Sequence, residues 1–119
     1  MANRDELKLL KLLRVNQAFM DLRPEMNLSL MSAFVAAIIR HPQGENDDAP
    51  TIKELSELAG VPYTSMSRHL RYLGDRERIG KPGLKLVEVR ENPDNKREKM
   101  VYLTLEGEEL RDKVFSLLC

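Results

Sequence analysis

The 119-residue sequence has no tryptophan, a single cysteine and few aromatic residues. The lone cysteine, Cys119, excludes an internal disulfide and is typical of a reducing compartment. The longest apolar stretch, from Leu28 to Ile39, is interrupted by serines and is too short to span a membrane. The charged N-terminus has no secretory pattern. We therefore expect a cytoplasmic protein that does not bind membranes.

The sequence also lacks the residue patterns of common catalytic and metal sites. It has no glycine-rich phosphate-binding loop and no histidine, cysteine and carboxylate cluster with the spacing of metal ligands. The acidic loop at 42–50 lacks the ligand spacing of a calcium loop. We expect no catalytic residue, no metal and no cofactor, and hence no enzyme. The scarcity of aromatic side chains also disfavours stacking on single-stranded RNA.

The formal net charge is zero, which counts against a large nucleic-acid-binding surface. The charge is unevenly distributed, however. Residues 68–99 contain ten basic and six acidic side chains, so this segment has a net charge of +4. A neutral protein with a basic segment can still bind phosphates locally.

Residues 51–73 have the pattern of two short helices joined by a tight turn. Thr51 followed by Glu54 is a capping box that starts the first helix. Gly60 is suited to the left-handed residue that ends it. Pro62 is suited to the first position of the second helix, where its missing N–H would lack a partner anyway.

The second helix of this pair has an apolar inner face and a polar outer face. Met66, Leu70 and Leu73 recur at helical spacing and are predicted to face inward. The outer residues carry hydroxyl groups or positive charge: Thr64, Ser65, Ser67, Arg68 and Arg71. Such a face is typical of a recognition helix in the major groove of DNA. A helical hairpin in any soluble protein, however, also has one apolar and one charged face.

Residues 84–105 are predicted to form a β-hairpin, with strands at 84–90 and 100–105. The segment 92–95, Asn-Pro-Asp-Asn, is a dense turn signal between them. Three basic residues are predicted at the hairpin tip: Lys96, Arg97 and Lys99. A hairpin directly after a helix-turn-helix is a wing, and a basic tip could reach a minor groove or the phosphate backbone. The alternative is an ordinary solvated turn.

Two terminal helices, predicted at 5–22 and 106–118, have more apolar residues than a small domain can bury. Large exposed apolar patches are uncommon on monomers, so we interpret both helices as a subunit interface. The alternative for the first is a long helix lying across its own domain. The candidate interface residues are Leu9, Leu13, Phe19, Val114 and Leu118. Another helix is predicted from its cap, Asn27, to about Arg40.

Three stretches resemble the MarR family of winged-helix transcriptional regulators. They are 51–61, 65–73 and 94–107, and the last is similar to the family's Asp-Arg wing followed by Leu-Thr-x-x-Gly. The resemblance extends over roughly residues 25–110. It implies a homodimer held by its N- and C-terminal helices and bound to a pseudo-palindromic site on double-stranded DNA.

The resemblance also implies roles for individual residues. The major-groove positions of the family are matched by Thr64, Ser65, Ser67, Arg68 and Arg71. Arg97 or Lys96 matches the wing arginine that enters the minor groove, and Asp94 would steady the wing tip. Family members often bind small-molecule effectors, but this sequence specifies none.

The sequence departs from the family pattern around the recognition helix. Pro62 stands where the family usually has a hydroxyl cap, and the chain between Leu73 and Leu84 is several residues longer. Three basic residues in this longer segment are candidate phosphate contacts: Arg76, Arg78 and Lys81. The sequence leaves open whether residues 74–83 extend the recognition helix or form a loop.

These patterns predict a mainly α protein with a small β-hairpin wing (α+β), formed by one winged helix-turn-helix domain over residues 1–119. The predicted function is a sequence-specific, double-stranded DNA-binding transcriptional regulator, a dimeric repressor that reads a pseudo-palindromic site. The alternative is a winged-helix protein-interaction module, an adaptor or inhibitor without specific DNA binding. The zero net charge favours that alternative somewhat.

Overall fold

The computed structural model describes residues 3–44, 47–78 and 81–119, and within these ranges the chain forms five helices and two β-hairpins. The helices are α1 (Arg4–Leu22), α2 (Leu28–Arg40), α3 (Ile52–Ala59), α4 (Tyr63–Leu73) and α5 (Leu105–Leu118). The strands are β1 (Arg76–Arg78), β2 (Lys81–Pro82), β3 (Val87–Asn92) and β4 (Asn95–Leu103). The predicted mainly α fold with a hairpin wing is confirmed. No described helix combines the length and apolarity needed to cross a bilayer.

Two of the helices, α2 and α3, start at their predicted caps. The Asn27 side chain accepts a hydrogen bond from the Leu30 amide at 2.8 Å. Thr51 and Glu54 form both bonds of the capping box, and Gly60 ends α3 in the left-handed conformation, with φ 69°. Because these bonds join residues close in sequence, the sequence alone predicts the boundaries of the helix-turn-helix.

Pro62 corrects one expectation. It was predicted at the first position of α4, but it occupies the cap position with φ −54° and ψ 145°, and Tyr63 is the first helical residue. Proline has no side-chain acceptor, so α4 begins without a side-chain cap.

The hydrophobic core lies between α2, the α3–α4 pair and the wing. Its most deeply buried side chains are Phe19, Phe34, Leu55, Met66, Leu70, Leu73, Val87 and Val101. The rings of Phe19 and Phe34 pack edge to face, with centroids 5.9 Å apart and an interplanar angle of 82°. This contact joins the C-terminal half of α1 to α2.

The wing strands are shifted towards the tip relative to the prediction, because they begin at Val87 and end at Leu103 instead of spanning 84–105. They reach Asn92 and Asn95, so Pro93 and Asp94 alone form the turn. The middle of the hairpin is also tied to the start of α3, because the Val101 amide donates to the Pro50 carbonyl at 2.9 Å. Turn residues in the sequence indicated where the chain reverses but not where the strand pairing stops.

The chain that follows α4 folds back on that helix. The amides of Leu84 and Leu86 donate to the carbonyls of Tyr72 and Leu73, at 3.0 and 2.7 Å. Between these points β1 and β2 form a small antiparallel hairpin. The recognition helix therefore ends at Leu73, and the described residues of 74–83 do not extend it.

Helix α5 begins in direct contact with this returning segment. The Thr104 amide donates to the Leu86 carbonyl at 3.0 Å, and the Thr104 hydroxyl donates to the Lys85 carbonyl at 2.6 Å. The same hydroxyl accepts the Gly107 amide at 3.0 Å and thereby caps α5. A β-carbon at Gly107 would overlap the Leu86 carbonyl oxygen. In the Leu-Thr-x-x-Gly sequence at 103–107, the threonine thus caps α5 and the glycine allows the close approach to Leu86.

A histidine ties the end of α2 to the same region. His41 Nδ1 accepts a hydrogen bond from the Leu103 amide at 3.1 Å, and its Nε2 lies 3.4 Å from a Glu108 carboxylate oxygen. The side chain therefore bridges α2, the end of β4 and the first turn of α5.

We expect Gly107→Ala to lower the free energy of unfolding by about 1–3 kcal/mol, because the added methyl group meets backbone that cannot rotate away. Urea denaturation followed by circular dichroism measures the change. Gly44→Ala is the control, since nothing lies within 4 Å of a β-carbon there. Equal stability of the two variants would show that the α5 contact is looser than the structure describes.

Candidate nucleic-acid interface

The outer face of α4 is open to solvent, as a recognition helix requires. Thr64, Arg68 and Arg71 are exposed, and Ser65 and Ser67 are half-buried at the edges of the face. The opposite face is fixed in the core by Met66, Leu70 and Leu73. The helix therefore presents hydroxyl and guanidinium groups from a backbone that the core holds in place.

A hydrogen bond between His69 and Ser29 adds a polar link between α4 and α2. The Ser29 hydroxyl lies 2.8 Å from His69 Nε2. Partial burial, and secondly the positive charge of Arg68, lower the pKa of His69 below its usual value. Ser29 precedes His69 by 40 residues, so no local pattern in the sequence predicts this bond.

The predicted basic tip of the wing lies on strand β4 rather than in the turn. Lys96 and Arg97 are exposed, whereas Lys99 is half-buried and pairs with Glu91 across the hairpin at 3.1 Å. The prediction that all three residues stand at the tip is therefore wrong for Lys99. That residue faces Glu91 in the strand register, four residues beyond Asn95, where β4 starts.

Two asparagine side chains shape the wing turn. Asn92 Oδ1 accepts the Asp94 amide at 2.9 Å, and Asn95 Oδ1 accepts the Arg97 amide at 3.1 Å. Such local bonds are the reason asparagine favours turns. The sequence resemblance assigned the steadying role to Asp94, but these bonds come from its neighbours.

A further arginine on the wing is engaged within the hairpin. The Arg90 guanidinium donates to Glu88 at 2.9 Å and lies 4.3 Å from the centroid of the Tyr102 ring. The hydrogen bond to Glu88 raises the pKa of Arg90, and the same bond lowers the pKa of Glu88. Arg90 thus has protein partners, unlike the exposed end of Arg97.

The candidate phosphate contacts on the segment after α4 are placed only through their backbone. Arg76 and Arg78 belong to β1 and Lys81 belongs to β2. Their side chains lie outside the described part of the structure, so their contact with phosphates stays a prediction.

No protein-family model matches the sequence, and no curated protein matches it. Solved structures do match. The S. aureus MepR–DNA complex superposes with a TM-score of 0.64 at 18% identity, covering 86% of this chain and 70% of MepR. A MarR-family transcriptional regulator from Rhodococcus gives a TM-score of 0.58 at 21% identity. That match covers 92% of this chain and 65% of the Rhodococcus chain. This chain has the winged-helix fold of MarR-family regulators.

Another match concerns a protein whose DNA binding is regulated by a small molecule. BpsR of Bordetella bronchiseptica, studied with 6-hydroxynicotinic acid, has a TM-score of 0.58 and 16% identity. The match covers 95% of this chain and 76% of BpsR. The residues matched to BpsR therefore include nearly the whole chain. The proteins in these matches are regulators or DNA-binding proteins rather than enzymes.

The terminal helices of the MarR-like fold pack against each other, and part of their apolar surface stays exposed. Of the predicted interface residues, Leu9, Leu13 and Leu118 are 64%, 48% and 48% exposed. The prediction that Phe19 and Val114 lie on the interface has to be corrected, because their side chains are only 1% and 5% exposed. Both belong to the chain's own core and cannot contact another subunit from there. Helical spacing identified the apolar face but not whether it meets the same chain or a partner.

An apolar groove also runs between α1, α2 and α3. It has a volume of about 340 Å³ and is bordered by the exposed side chains of Leu12, Leu28, Ile39 and Leu58. No local pattern in the sequence predicts it, since its walls come from three different helices.

The lowered pKa of His69 predicts a pH dependence of stability. The unfolded chain, with the usual histidine pKa of about 6.5, binds more protons than the folded chain. Stability is therefore full above that value and falls as the pH drops below about 6.5, until the folded pKa is passed. Comparing urea denaturation of the wild type and His69→Gln at several pH values isolates this loss. A difference between the two that stays constant with pH contradicts the prediction.

Proposed function

We propose that the protein is a sequence-specific, double-stranded DNA-binding transcriptional regulator, a dimeric repressor that reads a pseudo-palindromic site. The observation that supports this best is the outer face of α4, where Thr64, Arg68 and Arg71 are exposed above a buried inner face. MepR, which has the same fold, was crystallised with DNA.

The dimensions of α4 suit the major groove. Its 11 residues make a rod about 16 Å long, and a major groove about 12 Å wide admits one helix. In that position Arg68 can donate two hydrogen bonds to a guanine, while the hydroxyls of Thr64 and Ser65 can bond to either a base edge or a phosphate. Arg97 on the wing would lie against the neighbouring minor groove or the backbone.

Dimerisation is proposed through the exposed leucines of α1 and α5. The N-terminal half of α1 extends beyond the core, and its leucines are solvent-exposed on several sides: Leu7, Leu9, Leu10, Leu12 and Leu13. Burying such a surface against a second copy removes it from water. A two-fold dimer would also present two recognition helices to two half-sites.

The protein-interaction module remains the second candidate, and the zero net charge is the observation that favours it. A gel shift with random duplex at low salt separates the two candidates, because a pure adaptor produces no shifted band.

A repressor would act in the compartment that contains the DNA, so we propose a cytoplasmic location together with the first function. A small-molecule effector also stays a prediction, with no ligand named.

Two alanine variants test the site. Arg68→Ala should weaken binding to a cognate duplex by about 1–3 kcal/mol and relax base preference at the position it reads. Arg97→Ala should weaken binding to cognate and unrelated duplexes to a similar degree. The cognate site comes from selection on a random duplex pool at physiological salt. Unchanged binding curves for both variants would remove this site assignment.

The double variant Leu9→Ala, Leu13→Ala tests the dimer. Each truncation removes apolar groups worth about 0.8 kcal/mol per CH₂, so the dimer dissociation constant should rise at least about 100-fold. Sedimentation equilibrium measures it. Leu58→Ala, an exposed leucine on α3, is the control. A wild-type protein that stays monomeric, or a double variant that dimerises as the wild type does, contradicts the interface.

A further inference from the structure

A small cleft lies between the helix-turn-helix and the wing, beside the recognition helix. It has a volume of about 180 Å³, and its walls come from the first turn of α3, the first residue of α4 and strand β4. Four of its polar residues matter here: Lys53, Tyr63, Arg97 and Lys99. None of the sequence patterns pointed to Lys53 or Tyr63.

Backbone pairing fixes the walls of this cleft relative to each other. Thr51 and Met100 form an antiparallel bridge, and the Val101 amide donates to the Pro50 carbonyl at 2.9 Å. Lys53 is two residues from that bridge and Lys99 is one residue from it. The basic side chains therefore converge from elements that cannot move independently.

The cleft is positively charged. Lys53, Arg97 and Lys99 line it together with one carboxylate, that of Glu98, which accepts a hydrogen bond from Asn92 Nδ2 at 3.2 Å. Lys99 is paired with Glu91. Among the described residues no ion pair engages Lys53 or Arg97. The cleft therefore has two such cations and only one carboxylate, so its net charge is positive.

Lys53 is poorly placed for the stability of α3. It lies in the first turn, at the positive end of the helix dipole, where a cation is unfavourable and a carboxylate such as Glu54 is favourable. Its side chain is exposed and therefore adds no core packing. The position of this lysine calls for an explanation other than folding.

We propose that this cleft binds a backbone phosphate of the DNA duplex, with Lys53 and Tyr63 as contacts beside Arg97. The inference rests on the proposed DNA-binding function. A phosphodiester offers only acceptors and a negative charge, whereas an ammonium, a phenol hydroxyl and a guanidinium all donate hydrogen bonds. The cleft lies between the helix that would enter the major groove and the wing that would reach the minor groove. A sugar-phosphate strand separates those grooves.

The role of such a contact is to set register rather than to read sequence. A phosphate held between α3, α4 and the wing fixes the distance between the two reading elements. Lys53 and Tyr63 should thus affect cognate and unrelated duplexes alike, in contrast to Arg68.

The test is the salt dependence of binding, measured by fluorescence anisotropy on the selected duplex and on a scrambled duplex. We expect Lys53→Ala to reduce the slope of log K against log salt by about 0.9, the value for one lost phosphate contact. The affinity should fall by the same factor on both duplexes. Lys53→Arg should restore the slope. Tyr63→Phe should weaken binding without changing the slope, because the hydroxyl is neutral.

The control is Lys113→Ala, an exposed lysine on α5 away from the cleft, which should leave slope and affinity unchanged. Thermal melts confirm that each variant is folded. A wild type that binds both duplexes while Lys53→Ala keeps the full slope would overturn the phosphate site alone. A wild type that binds no duplex at low salt would overturn the DNA-binding proposal and this inference with it.

Discussion

The structure depends on the contact between the chain that leaves α4 and the start of α5. The Leu86 amide donates to the last turn of α4, and the Leu86 carbonyl accepts the Thr104 amide on its other side. The absence of a side chain at Gly107 lets α5 approach that carbonyl closely. One short segment thereby joins the recognition helix, the base of the wing and the C-terminal helix. If it shifted, the wing would no longer lie beside α4, and α5 would lose its contact with both.

Local chemistry made much of this fold predictable from the sequence. Asn27, Thr51 and Gly60 act through bonds or backbone angles within a few residues, so their roles could be inferred without any knowledge of the fold. The Leu-Thr-x-x-Gly motif was recognised by resemblance, and its physical reason became visible only when Leu86 was placed opposite Gly107. The interface prediction had less support, because periodicity cannot separate Phe19, which packs on Phe34, from Leu9, which is mostly exposed. Contacts between distant segments, such as Ser29 with His69, leave no local pattern.

The neutral net charge is compatible with the proposed DNA-binding face once the charges are placed. Several acidic residues are paired with basic ones: Glu54 pairs with Arg40, Glu88 with Arg90 and Glu91 with Lys99. The hydrogen bond that Glu54 accepts from the Thr51 backbone also lowers its pKa, as expected for a carboxylate at a helix start. Arg68, Arg71 and Arg97 are left exposed on the face formed by α4 and the wing. A phosphate responds to this local excess within about one Debye length, roughly 8 Å at physiological salt, and not to the sum over the chain.

The same contacts connect the proposed dimer interface to the proposed DNA-contacting elements, α4 and the wing. Helix α5 packs on α1, where the exposed leucines lie, and its first turn is bonded to the segment that ends α4. His41 adds a second tie, because its ring bridges the Leu103 amide and Glu108. In the proposed dimer, a change in the angle between the two subunits would therefore move α4 and the wing together rather than one against the other. Regulation of such a dimer would act on the distance between the two recognition helices, while the proposed DNA-contacting surface of each subunit stays intact.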